Sequence, residues 1–279
     1  MTEELLNSEH AYELDPWRII EKAYRPERLA GGEAIFAQGN GHIGIRGSFE
    51  EQNCVYNPGT FMNGFYDTEP MVYGESAYGF PQKKQRMLAI TDASGIQLYV
   101  GDEPFDLSTG RILKYRRALD VRSGICEREC VWRSPAGIEL ELRIARLVSF
   151  TRLQAAAILW TCNVRSGLQA GDTADLHVVS SMKAKQVSAS GEDDPRLGSS
   201  LNRPALVLKS KSIDAESASM RHATRQTGAQ LTTVMRNHVS SECEYQVEAQ
   251  NNLQTLAHRY TIQARRGLPF TLEKIISYH

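Results

Sequence analysis

The sequence predicts an all-β protein, a large antiparallel two-sheet β-sandwich, in a single domain spanning residues 1–279. Two observations predict this class. Apolar and polar residues alternate with a period of two in many short segments, while long segments with the 3.6-residue period of a helix are nearly missing. The composition, 41% hydrophobic and 23% charged, is that of a globular chain with enough apolar residues for a substantial core.

The alternation locates individual strands. In the segment 138–144, Ile138, Leu140, Leu142 and Ile144 point to one side and charged residues to the other, which predicts a half-buried strand. The same pattern predicts two neighbouring half-buried strands at 243–249 and 259–264. The number of such segments predicts two packed sheets. The other predicted strands are Gln97–Val100, Ala156–Val164, Ala174–Met182, Ala205–Lys209, Gln230–Arg236 and Phe270–Ser277.

A polar segment interrupts the strands at 188–204. Its sequence, SASGEDDPRLGSSLNRP, contains two prolines and two glycines and predicts an exposed loop.

Charge and cysteine content exclude several classes of partner. Lysine plus arginine total 32 against 33 acidic residues, so no net field attracts nucleic acid or an anionic membrane. No apolar segment reaches the ~20 residues of a membrane helix. Five scattered cysteines predict free thiols and a cytoplasmic location. Cys126 and Cys130 have no second ligand pair at zinc spacing, so neither a metal site nor another cofactor is predicted.

Glycines and aromatic residues crowd the first third of the chain. Gly39, Gly41, Gly44 and Gly47 predict tight turns between short strands, or backbone pressed against other residues. The segment GNGHIG at 39–44 matches the GxGxxG nucleotide fingerprint, but that loop requires a helix after it. The residues that follow alternate instead, so we predict no nucleotide site.

Five segments, in order, carry a specific resemblance. They are GNGHIGIRGSFEE, PGTFMNGFYD, YGESAYGFP, FDLSTGRILKYRRALDVRSGICERECVWRSPAG and RLVSF. Together they resemble the N-terminal domain of glycoside hydrolase family 65, which contains maltose, trehalose and kojibiose phosphorylases and some acid trehalases. The resemblance implies a supersandwich of the galactose-mutarotase type that precedes a catalytic (α/α)6 barrel, and we expect that barrel to be absent from this chain.

The resemblance also implies an accessory role. The family's general acid and phosphate-binding residues lie on the barrel, so no catalytic residue is assigned here, and inorganic phosphate is a co-substrate of the parent enzyme only. The implied partners are the catalytic barrel, an α-linked disaccharide bound through it, and a second copy of the chain. Tyr66, Tyr78 and Phe80 are the candidate side chains for the substrate entrance or the interdomain contact, in loops, with the contact favoured.

Other chemistry-bearing residues receive structural interpretations. We expect the carboxylates near the aromatic loops to occupy polar turns without catalytic roles; they are Glu50, Glu51, Glu75, Asp92, Asp102 and Glu103. Four arginines are expected to tie strands and loops together, with Asp120 and Glu127 as partners, rather than to bind phosphate; they are Arg46, Arg116, Arg117 and Arg122. No nucleophilic partner is predicted for the histidines His177, His222, His238 and His258.

Two alternatives remain open at this point. A stand-alone carbohydrate-binding module would need an exposed aromatic platform that binds sugar without the barrel. A sugar mutarotase is the other, because the sandwich of this family resembles that of aldose epimerases, whose chemistry uses a histidine and a glutamate on one sheet.

Overall fold

A computed structural model describes residues 12–53, 55–71, 73, 78–169, 171–184 and 205–279. The all-β prediction is confirmed. In this part of the chain the helices are a 3₁₀ turn at Pro26–Arg28 and the seven-residue helix α1 at Leu29–Ile35, and neither is long enough to cross a membrane. The loop predicted at 188–204 lies outside the described residues.

The strands carry the architecture. In chain order they are β1 (Tyr12–Leu14), β2 (Arg18–Glu21), β3 (Gln38–Gly39), β4 (Ile43–Ile45), β5 (Thr60–Pro70), β6 (Lys83–Ala89), β7 (Ile96–Val100), β8 (Glu103–Pro104), β9 (Arg111–Asp120), β10 (Ile125–Arg133), β11 (Glu139–Val148), β12 (Ala155–Ser166), β13 (Ala174–Lys183), β14 (Leu206–Ile213), β15 (Ser217–Thr224), β16 (Gln230–Ser241), β17 (Tyr245–Asn252), β18 (Thr255–Ala264) and β19 (Phe270–Tyr278).

The strands form three antiparallel sheets. The largest has ten strands in the order β1-β2-β9-β10-β11-β12-β19-β16-β15-β14. The other two have the orders β17-β18-β13-β7-β8 and β3-β4-β5-β6. Side chains of all three meet in one hydrophobic core, represented by Trp160 of the large sheet, Val178 of the five-stranded sheet and Phe65 of the four-stranded sheet. The predicted β-sandwich is therefore confirmed.

Alternation explains the central strands. In β11, Leu140, Leu142 and Ile144 are buried while Arg143 between them is exposed, as the sequence predicts. Its neighbours β12 and β19 have the same pattern, and every predicted strand outside the masked residues overlaps a strand of the structure.

Strand β17 differs from its prediction. It pairs with β18 as expected, but Tyr245 and Val247 are each 42% exposed, and Cys243 just before the strand is buried. The prediction of a half-buried strand is wrong here because, among the residues that the structure describes, β17 is the outermost strand of the five-stranded sheet.

The glycine-rich segment forms the hairpin β3–β4. Gly41 has φ +85° in its turn, a conformation that suits glycine. A Cβ on Gly47 would lie 2.7 Å from the backbone carbon of Phe36, so the backbone there is pressed against its neighbour, as predicted. The GNGHIG letters at 39–44 lie in this hairpin, and the strand Ile43–Ile45 begins within them, where the nucleotide fingerprint requires a helix.

Candidate functional site

The aromatic candidates lie on one long hairpin formed by β5 and β6. Tyr66 was predicted to lie in a loop, and this prediction is wrong. The residue is on β5 opposite Met87, and its side chain is partly buried. Its carbonyl oxygen accepts a hydrogen bond from the hydroxyl of Thr227 at 2.9 Å. The alternation that identifies strands is broken in this segment by adjacent polar residues, which is why sequence reasoning assigned a loop.

The connection between β5 and β6 carries the exposed rings. Tyr78 is fully exposed and Phe80 is 48% exposed. The ring of Phe80 lies against that of Tyr73, with centroids 4.9 Å apart, and the hydroxyl of Tyr73 donates to the carbonyl of Pro81 at 3.1 Å. The connection therefore presents aromatic surface to solvent.

A buried carboxylate holds this hairpin to the large sheet. Asp67 is 1% exposed, and its Oδ1 accepts the backbone N–H groups of Gln226 at 3.1 Å and Thr227 at 3.0 Å. These two residues belong to the turn between β15 and β16. The hairpin is thus fixed to the large sheet at Asp67, three residues before the end of β5 that leads into the aromatic connection.

The RGSFEE segment at 46–51 folds onto three arginines of the large sheet. Arg128 donates to Glu50 at 3.2 Å and to Glu51 at 2.5 Å, and Arg146 donates to Glu50 at 3.3 Å. Both glutamates lie in a turn, as predicted, but they are 5% and 2% exposed. The third arginine, Arg117, donates to the carbonyl of Gly47.

The two glutamates differ in their ionisation. Burial opposes the charge of Glu50 most strongly, but Arg146 and Arg128 together lower its pKa below the ordinary value. For Glu51, burial raises the pKa, and Arg128 only partly opposes this. A split pair of carboxyls is typical of acid–base sites, yet these carboxyls are closed off from solvent and bound to arginine. We interpret them as a structural ion-pair cluster.

The other predicted arginines also serve structure. Arg46 lies 3.6 Å from the carboxylate of Glu33, and Arg117 stacks on Phe36 and Phe49, with its guanidinium carbon 4.3 and 4.9 Å from the ring centroids. The structural role predicted for these two arginines is confirmed: Arg46 joins the segment after β4 to α1, and Arg117 joins β9 to the RGSFEE segment.

The partners named for the arginines are wrong in detail. Asp120 accepts backbone N–H groups of Arg122 and Ser123 rather than a guanidinium, because it opens the tight turn after β9. Arg122 lies over the ring of Trp17 at 3.9 Å. Glu127 and Arg116 both lie on the solvent side of the large sheet, around a shallow surface depression.

The histidines occupy three different environments. His222 contacts the hydroxyl of Thr91 at 3.2 Å and His177 contacts that of Thr261 at 3.2 Å. His258 is hydrogen-bonded to Asn237 at 2.9 Å, and burial lowers its pKa.

His238 lies on the solvent side of the large sheet, on β16, directly opposite Glu273 of β19; both side chains are exposed.

One buried cation was missed by the sequence reasoning. Lys274 on β19 is 0% exposed, and its Nζ donates to the carbonyl oxygens of Gly95 at 2.9 Å and Ser181 at 2.8 Å. Burial lowers the pKa of this lysine to about 7, although the negative charge of Asp92 acts to raise it. The signal was present: Lys274 takes the inward position in the alternation of Phe270, Leu272 and Ile276.

The remaining residues considered in the sequence analysis do not come together as a site in the described part of the chain. Cys126 and Cys130 share the inner face of β10, and burial raises the pKa of Cys130 to about 12, as expected for an unreactive core thiol. Within the described ranges, no three histidine, cysteine, aspartate or glutamate side chains lie close enough to hold a metal ion. Glu75 lies outside those ranges.

Comparison with known proteins identifies the family of this chain. Residues 19–279 match the family described as "Glycosyl hydrolase family 65, N-terminal domain". The chain is 33% identical over 273 residues to the α,α-trehalose phosphorylase of Thermoanaerobacter brockii, covering 96% of this chain and 34% of that protein. It is 31% identical over 140 residues to the kojibiose phosphorylase of Halothermothrix orenii, covering 50% of this chain and 16% of that protein.

A solved structure has the same fold. A putative kojibiose phosphorylase from the human microbiome superposes with a TM-score of 0.81 at 20% identity, over 96% of this chain and 33% of the other. The chain thus spans about one third of the length of the trehalose phosphorylase and of this structure. With the family match covering nearly all of its residues, the chain belongs to glycosyl hydrolase family 65, as its N-terminal domain.

Proposed function

We propose that this chain is the accessory N-terminal β-sandwich of a cytoplasmic glycoside phosphorylase that acts on α-linked glucose disaccharides with inorganic phosphate as co-substrate. One observation carries the proposal: the family match runs through residues 19–279, while the trehalose phosphorylase it resembles is about three times as long. The catalytic (α/α)6 domain of that enzyme type is the partner of this domain.

The burial of two carboxylates in this chain supports an accessory role, with the catalytic residues on the other domain. Glycoside transfer with inversion needs a protonated carboxyl at the leaving oxygen and a nucleophile, here phosphate, on the opposite side. Glu50 and Glu51 are buried against Arg128, so a sugar cannot reach them. In this proposal the acid and the phosphate site belong to the catalytic domain.

The aromatic end of the β5–β6 hairpin is the surface we assign to that domain. The rings of Tyr78 and Phe80 are exposed in this chain, and Asp67 fixes the hairpin to the large sheet close to them in sequence. Contact with the catalytic domain would cover these rings and position the hairpin beside the substrate entrance.

The experiment is a paired activity assay. The chain alone and a version extended through the following gene sequence are incubated with trehalose, kojibiose and maltose, each with and without phosphate. We expect glucose 1-phosphate only from the extended protein, first with α,α-trehalose, because the trehalose phosphorylase match covers 96% of the chain. Activity of the short chain, or an extended protein inactive on every disaccharide, contradicts the proposal.

Calorimetric titration of the short chain with the three disaccharides distinguishes an accessory domain from a carbohydrate-binding module. The short chain would then bind one of the three disaccharides without the catalytic domain, whereas an accessory domain shows no heat of binding.

One observation favours a second candidate, an aldose 1-epimerase. His238 and Glu273 lie opposite each other on adjacent strands, which places an acid–base pair on one open sheet face. The test is the rate of glucose anomerisation with the short chain and with His238→Asn. A rate equal to that of buffer rules this function out.

A further inference from the structure

A buried polar cluster joins the ten-stranded sheet to the five-stranded sheet. Ser180 of β13 and His258 of β18 are cross-strand partners in the five-stranded sheet, and Asn237 of β16 and Lys274 of β19 are cross-strand partners in the ten-stranded sheet. None of the four is more than 3% exposed. The hydroxyl of Ser180 donates to Oδ1 of Asn237 at 3.0 Å, and Nδ2 of Asn237 lies 2.9 Å from Nδ1 of His258. Each of these buried contacts needs one donor and one acceptor.

The other ring nitrogen fixes the tautomer of His258. Its Nε2 lies 2.8 Å from the backbone carbonyl oxygen of Asp214, which follows β14. A carbonyl oxygen only accepts, so Nε2 carries a proton. In the neutral ring Nδ1 is then an acceptor, and the amide nitrogen of Asn237 is the donor that it needs. The orientation of this amide therefore corresponds to an uncharged imidazole.

A second proton on the ring reverses this requirement. Nδ1 of a charged imidazolium is a donor, and it would face the NH2 group of Asn237, which also only donates. A half-turn of the amide about its Cβ–Cγ bond exchanges its oxygen and its nitrogen. The oxygen then accepts from Nδ1–H, and the nitrogen donates to the hydroxyl of Ser180, which can accept as well as donate. Each orientation of the amide is thus matched to one charge state of His258.

The groups around the ring keep it neutral at pH 7. Burial lowers the pKa of His258 and Lys274 acts in the same direction, while the carboxylate of Asp214 acts to raise it. On the same strand, burial raises the pKa of Tyr260, whose ring centroid is 6.5 Å from that of His258. Because the folded ring is harder to protonate than a free one, it becomes charged only below the ordinary histidine pKa of about 6.5. The residues that β13, β16 and β17 place beside the ring are uncharged; they are Ser180, Asn237 and Ala249.

We propose that the side-chain amide of Asn237 is a pH-operated switch between the two sheets: it donates to His258 while the ring is neutral, and it turns over to accept from the ring when acid protonates it. Ser180 changes from donor to acceptor in the same step. The hydrogen bonds between the sheets are kept in both states, and only their direction changes. This switch operates in the folded chain itself and is independent of the proposed function.

Nuclear magnetic resonance of the isotope-labelled chain between pH 8 and pH 4.5 tests the switch. Long-range proton–nitrogen spectra show which ring nitrogen is protonated, and we expect the Nε2–H form of His258 at pH 8. On acidification the side-chain NH2 signals of Asn237 should move with the same midpoint as the ring. Their nuclear Overhauser contacts should pass from His258 to Ser180. Gln38 is the control amide, because its partners are two backbone carbonyls and the guanidinium of Arg146, which do not titrate in this range, so its signals should stay in place.

Asn237→Asp tests the direction of the bonds. A carboxylate only accepts and favours the charged ring, so the midpoint of His258 is expected to rise by about one pH unit or more. The measurement on the wild-type chain decides the proposal even where this variant does not fold. Three results overturn it: Asn237 signals that stay in place while His258 titrates, a ring protonated on Nδ1 instead of Nε2 at pH 8, or loss of the folded spectrum before His258 takes up its proton.

Discussion

The side-chain nitrogen of Lys274 lies 2.8 Å from the carbonyl oxygen of Ser181, across the interface between the ten-stranded and five-stranded sheets. A second carbonyl, that of Gly95, accepts from the same nitrogen. One fully buried lysine thus joins β19 to β13 and to the segment before β7. Buried polar groups of this kind are tolerated when their hydrogen bonds are made, and they fix one arrangement of the layers.

This lysine makes stability depend on pH in a defined direction. Its pKa is about 7 in the folded chain against an ordinary 10.5, so the unfolded chain binds more protons between these values. The free energy of unfolding is therefore expected to rise from about pH 7 to about pH 10, by at most roughly 5 kcal/mol, and the full cost of the charge is present below pH 7.

Lys274→Met is expected to remove most of that rise, as measured by urea unfolding at a series of pH values. Lys183→Met is the control, because Lys183 is an exposed lysine of β13, the strand that also carries Ser181. A wild-type curve that is flat between pH 7 and pH 10 contradicts the assignment.

The arginine–glutamate cluster makes the second prediction. Arg128→Met leaves Glu50 and Glu51 buried without their shared cation and is expected to destabilise the chain by about 3–5 kcal/mol. Arg143→Met breaks an exposed pair with Glu141 and is expected to cost less than about 1 kcal/mol. Chemical denaturation of both variants beside the wild type measures the difference. Equal losses from the two variants would show that burial does not govern the cluster.

Sequence patterns predicted strands whose inward residues are mostly apolar, including β19, in which Lys274 is the one charged inward residue. In β12, Ala156, Ile158, Trp160 and Cys162 are buried in alternation, and this segment was predicted from the sequence. Strand β9 was not predicted because Arg117 takes an inward position, where period-two reasoning expects an apolar residue.

Strand β10 was missed for the same reason, since Arg128 faces inward beside Cys126 and Cys130. The carboxylates that pair with Arg128 are those of Glu50 and Glu51, about 77 residues earlier in the sequence. Nothing in the local sequence indicates which carboxylates neutralise this arginine. Long-range charge pairing is thus the step that sequence alone does not supply. The family resemblance located the segment but not its contacts.

The glycine-rich segment yields a prediction with an internal control. A Cβ at position 47 would overlap the backbone of Phe36 at 2.7 Å, so Gly47→Ala requires the chain to shift and is expected to cost about 1–3 kcal/mol. A Cβ at Gly44, in the same segment, meets no atom within 4 Å. Gly44→Ala is therefore expected to leave the melting temperature within about 2 °C of the wild type. Similar melting temperatures for both variants would contradict the close approach at Gly47.

The last prediction compares the energetic role of the aromatic hairpin in the short chain with its role in the protein extended by the catalytic domain. Tyr78 is fully exposed in this chain, so Tyr78→Ser is expected to change its free energy of unfolding by less than about 0.5 kcal/mol. In the extended protein the same ring is buried at the proposed contact, and its removal is expected to cost about 1–3 kcal/mol of that contact.

The measurement is thermal unfolding of the short and extended proteins, together with kcat/KM of the extended one. Phe150→Ser serves as the control, because that ring is 69% exposed on a different turn, between β11 and β12. A Tyr78→Ser variant of the extended protein that keeps both melting temperature and kcat/KM would show that the hairpin does not contact the catalytic domain, since only a contact gives this exposed ring an energetic role.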